Sequence, residues 1–199
     1  MPNNEHYYSQ TPSAPHKYNK IEAELRGTTY RFLTDAGVFS KERVDRGTRL
    51  LIKHMEIHEE DIVLDLGCGY GPIGIVAAGI GRYVYLVDIN ERAVELSRIN
   101  IELNNIKNAE ALLGEGFAPV DDTRFDVIVS NPPIRAGKKV VYGLVQESAT
   151  HLNPGGDLYM VARTKQGAQS LAKEIERVFG NIYEVGKGGG YRVMKATRY

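Results

Sequence analysis

From Asp61 onward, short uninterrupted apolar runs alternate with longer stretches in which apolar residues recur every three or four positions. "IVLDLG" (62–67) and "YVYLVD" (83–88) read as strands covered on both faces, which suits a parallel sheet with crossover helices. Between them a glycine-containing loop leads into an apolar helix over 71–80. The next helix carries a stripe of Ala93, Leu96, Ile99 and Leu103, and Asn104 and Asn105 favour its end. Further strands are expected at 109–113, 125–130 and 156–162, the last preceded by a turn at Pro154, Gly155 and Gly156. Helices are expected over 139–151 and 165–180. Two final strands, 181–187 and 190–196, are joined through Gly188 and Gly189. So short a joint requires antiparallel pairing, and the sheet is therefore mixed at this end.

The N-terminal portion lacks this rhythm. Residues 1–20 are polar, include three prolines and show no sustained period, as a flexible arm does. Residues 21–60 form an extension packed on the core, with a hairpin or strand-loop piece within 27–47 and a short helix over 48–58 that puts Leu50, Leu51, His54 and Met55 on one face. The remainder, 61–199, is the main α/β domain.

Charge changes this picture little at first. The 25 basic and 25 acidic residues of the 199-residue chain cancel, so the bulk composition selects neither nucleic acid nor a membrane surface. No window approaches the roughly 20 apolar residues needed to span a bilayer, and the N-terminus has no apolar secretory core, so a cytoplasmic protein without a membrane partner is expected. Cys68 is the single cysteine and excludes an intrachain disulfide; its ordinary role is a small buried residue. His54 and His58 have helical spacing, but "HMEIHEE" supplies no third ligand, and no metal is expected.

The candidate chemistry lies at the strand ends. "VLDLGCGYGPIGI" puts Gly67, Gly69 and Gly71 after a strand and before a helix, where absent side chains allow a tight turn and close approach of a ligand. A Lys-Ser/Thr pair, which a phosphate loop needs, is missing, and Asp65 disfavours a naked pyrophosphate while suiting an ammonium. Asp88 and Asn90 follow 23 and 25 residues later, with Asp88 placed to accept from ribose hydroxyls. Glu115 is a candidate for an adenine amine and Phe117 for packing beside it. A cap, a solvent-facing carboxylate or a core phenylalanine would explain each residue equally well by itself. Together they point to S-adenosylmethionine rather than a pyrophosphate cofactor.

"DLGCGYGPIG" resembles the first motif of class I S-adenosylmethionine-dependent methyltransferases, "LVDIN" their ribose-binding strand end, and "SNPPI" the Asn-Pro-Pro motif of their amino-methylating branch. With "HYYS", "GVFSKERVDRGTRLL", "TKQGAQSLAK" and "GGGYRV", the likeness runs nearly end to end. It is to the small-domain family that includes ribosomal small-subunit RNA guanine-N2 methyltransferases and their archaeal relatives. The resemblance implies a Rossmann-like fold with a mostly parallel seven-stranded sheet and an antiparallel C-terminal strand. It also implies cofactor contacts at Asp65, Gly67, Gly69, Asp88, Asn90 and Glu115, with Thr48 and Gly47 as candidate walls.

Asn131 and Pro132 are then the catalytic pair. The Asn131 side-chain oxygen and the Pro132 carbonyl would accept the hydrogens of a planar nitrogen and turn its lone pair toward the methyl donor. Pro133, Ile134, Arg135 and Lys138 are the expected substrate contacts. Ile134 stands where family members often carry a base-stacking aromatic, for which Phe39 or Tyr142 could substitute. Between Asn131 and Lys173 six basic residues face two acidic ones, in keeping with ribosomal RNA or a small-subunit assembly as partner. Guanine N2 is the expected acceptor. Adenine N6, a protein glutamine amide, and a noncatalytic RNA-binding or ribosome-assembly module are the competing assignments.

Overall fold

The computed structural model describes residues 15–199, so the first 14 residues of the expected arm lie outside the described residues. Asn19 and Lys20 already belong to a strand. β1 (Asn19–Leu25) and β2 (Thr28–Thr34) form an antiparallel hairpin, turned at Arg26 and Gly27, both at positive φ. The hairpin thus begins earlier than the expected 27–47 segment. Ile21, Ala23 and Leu25 point inward from β1, with Phe32 and Thr34 from β2, giving the period-two burial of a half-covered ribbon.

α1 (Arg46–His54) follows. Asp45 caps it by accepting from the Gly47 and Thr48 N–H groups. The helix starts two residues before the expected span because this cap sits at Asp45.

The main sheet comprises β3 (Ile62–Leu66), β4 (Tyr83–Asp88), β5 (Ala109–Leu113), β6 (Phe125–Ser130), β7 (Leu152–Arg163), β8 (Tyr183–Gly188) and β9 (Tyr191–Thr197). Their spatial order is β5-β4-β3-β6-β7-β9-β8. Neighbours from β5 through β7 pair in parallel, while β9 runs antiparallel to both β7 and β8. Strand order reverses direction between β3 and β6. The crevice at the carboxyl ends of those strands is where a doubly wound sheet binds its ligand.

α2 (Pro72–Ala78), α3 (Glu91–Leu103), α4 (Lys138–His151) and α5 (Ala168–Phe179) provide the crossovers. One apolar cluster joins the hairpin, α1, α2 and α3 to one face of the sheet through Phe32, Leu51, Ile75 and Val84. A second, with Phe125, Val145, Leu158 and Ile175, lies under α4 and α5 on the other.

Three local details differ from the sequence reading. In α3, Ile99 and Leu103 are 38% and 44% exposed, and the buried face instead runs through Ala93, Leu96, Ser97, Asn100 and Ile101. Two polar residues turn the helix this way. The Ser97 hydroxyl donates to the Gly69 carbonyl at 2.9 Å, and Asn100 donates to the carbonyls of Leu33 and Tyr70 while accepting from the Leu33 N–H. β7 starts at Leu152 instead of after a Pro-Gly-Gly turn, with Gly155 and Gly156 bonded to Arg198. Between β8 and β9 the turn falls at Gly189 and Gly190, whose φ values of +56° and +81° suit a two-residue hairpin loop.

Candidate active site

The ends of β3, β4, β5 and β6 open into a cavity of about 1140 Å³. Gly67 and Gly69 form one side, Asp88 and Asn90 the next, Glu115 and Phe117 a third, and Asn131, Pro132 and Pro133 the fourth. α4 and residues 38–40 complete the lining.

The glycine loop is tied down by hydrogen bonds of its own backbone. The Gly67 and Cys68 N–H groups donate to the Val87 carbonyl and the Gly69 N–H to Asp88 Oδ2 at 2.8 Å. Gly67 and Gly69 have φ of +75° and +59°, which a side chain would strain, and a Cβ on either would project into open space. With its N–H groups occupied, the loop offers a close backbone surface rather than a nest of donors.

Asp88 also accepts from the Asn90 N–H at 2.9 Å. Burial raises its carboxyl above the usual range, opposed by backbone N–H bonds from Asn90, Gly69 and Ile89. Its remaining lone pairs stay available at the cavity wall.

Asp65 has a different position from the one expected. It is fully buried beneath the loop and does not line the cavity; Oδ2 accepts from the Gly74 N–H at 2.8 Å and buried Oδ1 has no hydrogen-bond partner. Burial pushes its carboxyl up to about 7, with Asp88 adding to the effect and the Gly74 N–H opposing it. Asn90 lines the cavity, but its side chain is committed to structure. Oδ1 caps α3 by accepting from the Arg92 and Ala93 N–H groups, and Nδ2 donates to the Gly37 carbonyl. Cys68 is buried, 3.6 Å from the Ser97 hydroxyl, and burial raises its thiol well above the ordinary value, as for an inert packing residue.

Asn131 follows β6, whose last residue, Ser130, donates to the Leu66 carbonyl and so ties the strand end to β3. Asn131 Nδ2 donates to Thr48 Oγ1 at 3.0 Å and lies 3.5 Å from Asp45 Oδ2. A carboxylate can only accept, so the amide nitrogen faces α1 and the oxygen keeps its lone pairs for a ligand. The Pro132 carbonyl accepts from the Ile134 N–H at 2.9 Å, a tight turn centred on Pro133 at φ −74° and ψ 78°. That bond uses one of two lone pairs and fixes the direction of the other.

Among the expected substrate contacts, Pro133 lines the cavity and Ile134, Arg135 and Lys138 do not. Ile134 packs on Gly167, whose Cβ, if present, would lie 3.1 Å from the isoleucine side chain. Lys139 takes the wall position instead. Phe39 is at the mouth and 39% exposed, whereas Tyr142 is turned away and donates to the Ser170 carbonyl. Phe117 is core, stacked on His151 at 4.3 Å. Thr48 is a wall residue; Gly47 instead lies under Tyr191, where a Cβ would come within 2.7 Å of the ring.

Asp45 is absent from the residues that the sequence motifs single out, although its position before a helical pattern is a capping signal. Besides capping α1, it accepts from the Tyr191 hydroxyl at 3.1 Å, and that hydroxyl accepts from Arg163 Nε at 2.8 Å.

The sequence matches the family model described as "Methyltransferase small domain" over residues 29–195. The chain belongs to the methyltransferase small-domain family. It is 44% identical to the uncharacterized protein YbxB of Bacillus subtilis, over 98% of both chains. It is 34% identical to ribosomal RNA small subunit methyltransferase C of Pseudomonas putida over 90% of its own length, and spans 54% of that relative. In three dimensions it resembles the T. thermophilus 16S rRNA N2 G1207 methyltransferase RsmC, solved with AdoMet and guanosine, at TM-score 0.84 and 30% identity. That match covers 94% of this chain and 52% of the other. The chain thus spans about half the length of these named RNA methyltransferases. As a member of the family it is an S-adenosylmethionine-dependent methyltransferase, and the cavity fits that donor. It has a glycine-bordered face open to close approach and, on the adjoining wall, an acid with spare lone pairs for a donor hydroxyl.

Proposed function

We propose that the acceptor of this methyltransferase is the exocyclic N2 amine of a guanine in small-subunit ribosomal RNA. The observation that carries this reading is the Asn131 carboxamide, held by Thr48 and Asp45 with its oxygen free at the wall of the donor cavity. Likeness to the guanosine-bound RNA methyltransferase supports the choice of base.

When bound, S-adenosylmethionine supplies an electrophilic methyl group on its sulfonium. Gly67, Gly69, Asp88 and Glu115 border the volume that would hold it. Asn131 Oδ1 and the free lone pair of the Pro132 carbonyl each accept one N–H of the amine. Both hydrogens are then directed away from the cavity interior, and the nitrogen lone pair turns out of conjugation with the base. The two acceptors also stabilise the positive charge that develops on nitrogen, without any change in their own protonation. Because both are neutral, the amine proton leaves after transfer to solvent and no side-chain base is required.

Undermethylated small subunits contain both RNA and protein, so methyl-labelled donor offered to them reports the acceptor class directly. Label recovered in the RNA fraction supports the proposal, and label confined to protein glutamine overturns it.

A further inference from the structure

A second cavity, of about 680 Å³, adjoins the first and shares Ser40 and Asp45 with it. We propose that this second cavity binds phosphates of the RNA backbone flanking the target nucleotide; the inference rests on RNA being the substrate.

Its walls come from separate parts of the chain. Arg43 stands on the loop before α1 and Arg46 at its first residue, with Arg163 and Lys165 at and just beyond the end of β7. The β8–β9 turn closes the far side, tied to the β7 end by the Thr164 N–H donating to the Gly190 carbonyl at 2.8 Å. Four cations thus converge from two distant segments, an arrangement that the ordinary solvated face of one helix does not produce. Asp45, the one acid in the lining among the described residues, is already engaged by the Gly47 N–H and the Tyr191 hydroxyl. Among the described residues, Arg43, Arg46, Arg163 and Lys165 form no ion pair with a carboxylate.

Arg163 is prepared for this role. Its Nε donates to the Tyr191 hydroxyl and its guanidinium carbon lies 5.2 Å from the centre of the Tyr191 ring. The terminal nitrogens of a guanidinium fixed in this way suit the bidentate geometry of a phosphate. Ser40, on the wall between the two cavities, has φ of +59° and donates to the Arg43 carbonyl, so the turn that separates base from backbone is locally fixed. A nucleic-acid strand fits this pair of cavities: one has room for a base beside the Asn131 amide, and its neighbour is lined by four cationic side chains against one acid that is already engaged. The Arg163, Tyr191, Asp45 and Asn131 series also links an anion in the second cavity to the amide that orients the acceptor.

The test compares wild type with Arg43→Ala/Arg46→Ala and Lys165→Ala. It measures binding of a short single-stranded RNA across a salt series, methyl transfer to unmodified small-subunit RNA, and donor affinity. These three side chains are exposed, and matched unfolding midpoints confirm that the variants fold. The salt slope of RNA binding should fall by roughly 0.7 for each phosphate that a variant no longer neutralises, and KM for RNA should rise about tenfold or more, with donor affinity unchanged. An unchanged slope and KM in variants of an enzyme that methylates guanine overturns the phosphate site and leaves the acceptor assignment standing. A reduced slope in an enzyme that transfers no methyl to RNA leaves an anion site in the second cavity but overturns its place beside a target nucleotide, together with the acceptor assignment. Tighter binding of an acidic peptide than of RNA, abolished in the same variants, also overturns it.

Discussion

The Asn131 side-chain nitrogen donates to the Thr48 hydroxyl at 3.0 Å across 83 residues of sequence, with the acceptor-only Asp45 carboxylate 3.5 Å away, and together these two groups turn the amide oxygen toward the cavity. Without these two partners the carboxamide could present nitrogen or oxygen, and only oxygen accepts from an amine. Thr48→Val keeps the shape and removes the acceptor. We expect kcat to fall about tenfold, the equivalent of ~1.4 kcal/mol for one lost orienting bond, with donor affinity unchanged. Thr48→Ser should recover most of the rate, because it retains the oxygen. Steady-state rates with a parallel donor-binding titration check both.

Truncation of the amide removes the acceptor itself. For Asn131→Ala we expect kcat to drop by about 10²- to 10³-fold, the range found when one transition-state hydrogen bond is removed from a preorganised site. The donor Kd should stay close to wild type because the side chain touches neither the glycine loop nor Asp88. Calorimetric donor binding beside single-turnover transfer separates the two effects. Retained turnover with Asn131→Ala contradicts the orienting role.

Asp88→Ala should do the reverse. Its carboxylate holds the Gly69 and Asn90 N–H groups and lines the cavity, where we propose that it accepts from the donor's ribose, so loss of charged hydrogen bonds of ~1.5–3 kcal/mol should weaken donor binding roughly 10- to 100-fold. At saturating donor, kcat should recover toward wild type. A kcat that stays depressed would show that Asp88 acts on the transfer step.

Asp65 gives the fold a pH dependence. Its carboxyl lies at about 7 in the folded chain against an ordinary value of 3.8, so the folded state binds the extra proton between those values. Stability contributed by the neutral form is complete below the unfolded value, declines as pH rises toward 7, and is lost above it. Asp65→Asn removes the ionisation. Relative to wild type it should gain stability from pH 4 to pH 7, by an amount on the order of a few kcal/mol, and level off above. Urea unfolding of both proteins in the absence of donor, at several pH values, measures the difference. A constant difference across that range excludes a raised Asp65.

Much of this is legible in the sequence because it is local. Alternating apolar runs place the parallel strands, the Gly188–Gly190 run forces an antiparallel C-terminal pair, and Asn131 followed by two prolines marks a fixed amide at a strand end. What escapes the sequence depends on distant residues. Asp45 and Thr48 meet Asn131 only in the folded chain, where α1 packs on β7, β8 and β9 and its N-terminus comes to the end of β6, and no local pattern records that meeting. A hydrophobic stripe misplaces the face of α3 because it cannot anticipate two buried polar residues, Ser97 and Asn100, occupied with the glycine loop and β2. Ile134 occupies the motif position of a stacking aromatic. In the fold it fills space against Gly167, and Phe39 stands at the mouth.

The assignment of the acceptor rests most directly on the identity of the modified nucleoside. Unmethylated small-subunit RNA, incubated with methyl-labelled S-adenosylmethionine and the wild-type chain, is digested to nucleosides and separated against standards. The label should co-elute with N2-methylguanosine and should appear about 100-fold or more slowly when Asn131→Ala replaces wild type. Label in N6-methyladenosine, or none in RNA while donor binding is intact, contradicts the assignment.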